Sequence, residues 1–435
     1  MAEPSGRIAA APEPTGIPDG NLRAGLAWYG VAHGALLAAA LVLLAEPELA
    51  TGAWQRPRLV AAVHLVTLGW VAASVVGSLF LLGQGVLRLG LVAGRRELWV
   101  APVWALLLIG LVARLETVDP PGLAWAALPL VLALAAVIGV VLRRVARAPL
   151  PGAMRFALVL AWSNLALALA GALFVVGGRL GLPSPGGWPA WRVAHAHLAA
   201  VGWATTLVAG VGARMLPMVL PAAPPPPRAL VTVAALLGLG TPAFAAALLV
   251  APESARFVAL APLAGALGQV ALVGWMLAHP RPPAKELPRP DPARWLAVTA
   301  AALLALAALA GTALAFAPEP PAGVAVAYGA LGLVGFLGGT ILAVELRLLP
   351  TVAWILGRRR IGFDVPFPSA HRLPPHRLAL AAAGAMALAA PLLAAGALAG
   401  SPALVRAGAA SLAAAPLLHA GVVAAMLRAG WRADS

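Results

Sequence analysis

Three histidines carry the chemistry this chain is equipped for. His64 opens the apolar stretch HLVTLGWVAASVVGSLFLLGQ, and His195 and His197 form an H-A-H pair at the head of another, HAHLAAVGWATTLVAGVGARMLP. Imidazole is a usual axial ligand of haem iron and a common metal ligand generally. An ionisable side chain in an apolar span is costly unless partnered, so it is a functional candidate by default. Residues i and i+2 of a helix point about 200° apart, so His195 and His197 cannot ligate one iron together. They serve two sites, or one ligates and the other does something else. Three histidines that hydrogen-bond between helices and hold no metal remain the bland alternative on residues alone.

The two stretches are related by spacing. Aligning His64, His197 and Ala330, which lie 133 residues apart, superposes Gly69, Gly202 and Gly335, then Trp70, Trp203 and Phe336. Gly77 and Gly210 coincide with Ala343, Arg214 matches Arg347 and Pro217 matches Pro350. Such a fixed interval is the signature of an internal repeat. Glycine at matched offsets lets a neighbouring helix or a flat cofactor approach the backbone.

The elements that must position these residues are membrane helices. The chain is 62% hydrophobic and 10% charged, more apolar surface than a soluble protein of this length can bury. Twelve apolar runs, centred near residues 34, 70, 107, 134, 166, 206, 239, 268, 305, 337, 387 and 416, are each long enough to cross a bilayer. The expected fold is all-α and polytopic: twelve transmembrane helices in three pseudo-threefold four-helix repeats, about 23–150, 151–285 and 290–430, with spans 2, 6 and 10 as an inner ring. With both termini cytoplasmic, only Arg56, Arg58, Arg114, Arg179, Arg192, Arg256 and Arg406 of the 30 basic residues fall outside. This is the positive-inside bias of a multi-pass protein, and it implies a bacterial plasma (inner) membrane. The net charge of +15 is therefore spread over loops on one side. No nucleic-acid partner is expected, because such a reader groups its charges on one exposed face. There is no cysteine, which excludes disulfides and thiolate metal sites.

Residues 1–22 are polar and read as a cytoplasmic tail with no removed signal peptide. Residues 23–430 form a single membrane domain, stiffened by proline-rich loops at 221–228, 280–292 and 357–377. His64 lies six residues past Arg58 and His197 five past Arg192, which puts both imidazoles roughly 8–9 Å below the outer boundary. They are expected to face each other and sandwich a haem, leaving His195 for a second haem, a copper or a gas-facing role. Arg58 and Arg192 at the outer mouth suit haem propionates, since arginine pairs carboxylates bidentately; interfacial anchoring explains them equally well. His33, deeper in span 1, is a further metal candidate, for copper or a proton site, or a packed polar residue. His279, His371 and His376 read as solvated loop residues. His419 reads as a helix residue with a hydrogen-bonding or proton-path role. Glu345 is the one acid within a predicted span; a local ion pair is expected there ahead of a proton-entry role, with Arg347 and Arg214 near helix ends.

The H-x-H-(x)4-G-W pattern followed by R-x-L-P resembles a tenth-helix motif of the haem–copper oxidase subunit I superfamily, nearest the cbb-type oxidases and nitric oxide reductases. The twelve-span, threefold plan is similar too. The resemblance implies that His195 and His197 supply haem ligands and that His64 matches the second-helix ligand, with haem b as cofactor and copper as a second metal. The H-x-H falls in span 6 here, span 10 offers Tyr328 and Ala330, and there is neither an H-P-E-x-V-Y segment nor a His-His pair in span 7. No oxygen-reducing copper centre follows from it. The chain looks most like the divergent fringe that includes NnrS-type haem- and copper-containing membrane proteins, although the usual NnrS signatures are absent. The implied function is a haem-binding membrane protein, with membrane lipid and a respiratory electron donor as partners. It would handle nitric oxide or oxygen, or transfer electrons in respiration. Oxidoreductase activity is left open. The alternatives are a membrane transporter and a cofactor-free assembly partner of a respiratory complex.

Overall fold

A computed structural model describes residues 17–83, 86–117, 119–317, 323–362 and 366–432. Twelve helices are long and apolar enough to cross a membrane: spans 1 (Asp19–Ala45), 2 (Pro57–Leu82), 3 (Glu97–Thr117), 4 (Pro120–Arg147), 5 (Gly152–Arg179), 6 (Trp188–Val219), 7 (Pro227–Val250), 8 (Pro252–Ala278), 9 (Pro292–Phe316), 10 (Val324–Ile361), 11 (His376–Ala399) and 12 (Pro402–Arg428). No strand forms among the described residues, and one isolated bridge joins Ala222 to Pro280. That bridge ties together two of the proline-rich loops read from the sequence. The first span starts at Asp19, ahead of the expected boundary at residue 23, and residues 1–16 of the expected tail lie outside the described residues.

Local sequence punctuates these helices. Proline opens spans 2, 4, 7, 8 and 9, where its missing N–H is no loss and its fixed φ suits the first turn. The side chains of Asp119 and Asp291 cap spans 4 and 9. Gly400, at φ +61, ends span 11 in the left-handed conformation that glycine adopts without a Cβ clash.

Spans 2, 6 and 10 are the inner helices. Their apolar windows are 67, 56 and 56% buried, against 22% for span 4. Each contains one π-helical segment: Leu65–Ala72, Leu198–Thr205 and Ala330–Gly338. A π segment widens the helix and frees backbone carbonyls, and such segments concentrate at functional sites. In span 6 the hydroxyls of Thr205 and Thr206 donate to the carbonyls of Ala200 and Val201, at 3.0 and 3.2 Å. The span 10 segment packs against those of spans 2 and 6.

The matched glycines serve helix packing. A Cβ on Gly69 would lie 2.4 Å from the Ala35 methyl of span 1, one on Gly202 2.4 Å from the Asn164 side chain of span 5, and one on Gly335 2.9 Å from Leu303 of span 9. Each inner helix is thus pressed onto the span before it. At Gly338 the contact crosses the ring, with Trp70 at 2.5 Å and Met386 at 2.4 Å from the would-be Cβ. At one end Arg347, expected to reach for the interface, is instead nearly buried in an ion pair with Asp291 and a 3.3 Å bond to the Val219 carbonyl.

Gly338→Val should therefore destabilise the protein by about 1–3 kcal/mol, since Trp70 is fully buried and cannot yield. Gly34→Ala, where a Cβ meets nothing within 4 Å, should be neutral or slightly stabilising. Thermal unfolding of the two variants in detergent checks the contrast.

Candidate functional site

The structure brings His64 together with His195. Their ring centres are 6.4 Å apart and the rings are within 13° of parallel. His64 Nδ1 lies 2.8 Å from the Val60 carbonyl and His195 Nδ1 2.8 Å from that of Ala168 on span 5. A carbonyl only accepts, so both rings carry their proton on Nδ1 and leave a lone pair on Nε2. This is the tautomer and the backbone support typical of metal-ligating imidazole. Both residues are half-buried and neither Nε2 has a hydrogen bond among the described residues.

The expected His64–His197 pair does not form. His197 points the other way round span 6, as the 200° angle requires. It sits 5.8 Å from the Tyr328 ring and 5.1 Å from Phe244, with Nδ1 bonded to the Val193 carbonyl at 2.9 Å. The two ring pairs keep the sequence interval: His64 to His197 and His195 to Tyr328 are both steps of 133. Equivalent residues in a ring of modules face the next module along, which is the heterologous pattern. His64 therefore meets the span 6 counterpart of Tyr328 rather than its own counterpart, His197.

Above the His64–His195 pair lies an aromatic and cationic mouth. The Arg192 guanidinium sits 5.3 Å from the Trp54 ring and 4.7 Å from that of Trp188, and Arg179 is 5.5 Å from Trp188. Arg192 has no carboxylate partner among the described residues, and its Nε is buried without a hydrogen bond. It is one helical turn from His195, on the same face. Arg58 is differently engaged: Glu46 binds it and Glu116 lies 3.7 Å away, so its charge is already met. Trp54 and Trp188 are members of this mouth that sequence reasoning missed, and the Trp residues flanking Arg192 and preceding Arg58 were the available signal.

A second cluster lies near the middle of its spans. Glu345 Oε2 of span 10 is 2.8 Å from His33 Nε2 of span 1 and 3.3 Å from His419 Nε2 of span 12. The two imidazoles are 5.0 Å apart between ring centres. One donor atom from each residue lies within 4.8 Å of the others, so the group could hold a metal ion. Glu345 and His419 are 1% exposed, and His33 is the most accessible member, with 18% of its side chain exposed. Glu345 does not make a local ion pair along its own helix; its partners come from two other spans. The sequence signal was a solitary ionisable residue deep in each of three spans.

The remaining histidines are peripheral. His279 stacks on Trp275 at 4.1 Å and bonds its carbonyl. In the loop after span 10, partial burial and then Arg347 hold His371 below the usual imidazole range, against Glu286 and Asp291. No protein-family model matches the chain, and no curated protein matches it.

Arg192→Ala removes two cation–π contacts and should cost roughly 1–2 kcal/mol. Arg58→Ala breaks half-exposed pairs and should cost under about 1 kcal/mol. Denaturant unfolding followed by tryptophan fluorescence measures both.

Proposed function

We propose that this chain is a haem-binding integral membrane protein in which His64 and His195 are the axial ligands of a b-type haem. The observation that carries this reading is the parallel pair of imidazoles at 6.4 Å with both Nε2 lone pairs free. Two metal–nitrogen bonds of about 2 Å, plus roughly 1 Å from each nitrogen to its ring centre, span about 6 Å. The donor set fits iron in a porphyrin, and the absence of cysteine leaves only non-covalent attachment. Arg192, unpaired and one turn above His195, is the residue to receive a propionate. Trp54 and Trp188 shield that contact from water.

Bound haem supplies one-electron redox chemistry. With both axial positions held by the protein, no coordination place is left there for a diatomic gas, so the geometry favours electron transfer over nitric oxide or oxygen binding at this pair. The related proposals are a threefold module with both termini cytoplasmic, divergent kinship to the haem–copper oxidase superfamily, and residence in a bacterial inner membrane exchanging electrons with a respiratory donor. The shared 133-residue step in the ring pairs and the three π segments support the first. A transport role is a second reading, favoured by one observation: the ionisable trio deep in spans 1, 10 and 12 is where a transported cation would be held.

Purified protein should show a Soret band and sharp α-bands on reduction. His64→Ala and His195→Ala should each lose the six-coordinate low-spin spectrum, while His197→Ala keeps it. A wild-type preparation with no haem absorbance, or one whose spectrum depends on His197 and not on His195, contradicts the assignment.

A further inference from the structure

We infer that His33, Glu345 and His419 form a second, independent site for a divalent first-row transition-metal ion, with an open position for water or a small anion. The argument begins with a count of protons. Two neutral imidazoles bring two N–H groups, whereas the two remaining ring nitrogens and two carboxylate oxygens bring four acceptors. Whatever the tautomers, lone pairs exceed hydrogens. The structure shows the shortfall: His33 Nδ1, His419 Nδ1 and Glu345 Oε1 are all buried without a hydrogen-bond partner, and His419 Nε2 approaches Glu345 too far off line to make one. The carboxylate adds a negative charge far from water. Buried polar atoms are normally satisfied, and an excess of buried lone pairs around one carboxylate is the environment a cation completes.

Geometry agrees with the electron count. With metal–ligand bonds of about 2.0–2.1 Å, adjacent ligand atoms lie about 2.9 Å apart at a right angle and about 3.4 Å apart at the tetrahedral angle. The two measured edges from Glu345 Oε2 are 2.8 and 3.3 Å. Two histidines and one carboxylate, drawn from three helices, form the kind of set that zinc and non-haem iron accept, and three protein ligands leave positions free. Hard cations such as magnesium prefer all-oxygen sites. The cluster shares no residue with the His64–His195 pair, so the two assignments stand or fall separately.

Protein purified with a tag free of histidine, stripped with chelator and reloaded with Zn²⁺ or Cu²⁺, tests this by metal analysis after desalting and by titration. Wild type should retain one equivalent and gain thermal stability on loading. Glu345→Gln and His419→Ala should each bind at least about tenfold more weakly. His279→Ala, an exposed histidine, should bind as wild type, and excess Mg²⁺ should not compete. His64→Ala should lose haem absorbance but keep the metal. Should the buried variants fail to fold, His33→Ala at the accessible edge and the nitrogen hyperfine signature of Cu²⁺ in wild type replace them. Wild type that retains no metal, or retains as much as the folded variants, overturns the site and leaves the trio holding protons only.

Discussion

In an apolar helical bundle an imidazole brings two polar nitrogens that water cannot reach, and each must find a partner. His64, His195 and His197 meet half of this demand alike, by donating Nδ1–H to a backbone carbonyl. That bond fixes the tautomer and the ring plane, so the free nitrogen is an acceptor with a set direction. For His64 and His195 the demand is shared across a gap of 6.4 Å between ring centres. Glycine-mediated packing of each inner helix on the preceding span holds the backbones that set this gap. The trio of His33, Glu345 and His419 solves the same problem differently, by sharing one carboxylate oxygen between two rings.

The clusters are spread over different helix contacts of the inner ring. His64 and His195 join spans 2 and 6, His197 and Tyr328 join spans 6 and 10, and the trio joins span 10 to spans 1 and 12. The first two are related by the 133-residue step, with Tyr328 standing where the first pair has a histidine. A phenol in that position gives the second pair a single imidazole. It is therefore poorer in axial ligands than the first, which is why the haem assignment rests on His64 and His195.

Much of the fold was legible because its signals are local. Hydropathy, proline at helix starts and charge between runs depend on neighbouring residues, and they place all twelve spans. The three site histidines of spans 2 and 6 were legible as costly polar groups in apolar helices. Their pairing was not. Matching His64 to His197 by register treats equivalent residues as facing partners, whereas helices around a closed ring present equivalent faces to the next helix along. Arg58 was misread for a similar reason, because its carboxylate partners Glu46 and Glu116 lie on a loop and on span 3. Glu345 meets a histidine 312 residues away, a contact that no local pattern encodes.

A density map of the purified protein tests the central assignment most directly, since it shows what lies between the two rings without relying on a variant. The account predicts flat, macrocycle-shaped density crossing the line from His64 Nε2 to His195 Nε2, with an edge turned towards Arg192. Rings closed onto each other, or a gap filled by side chains or lipid, would contradict it.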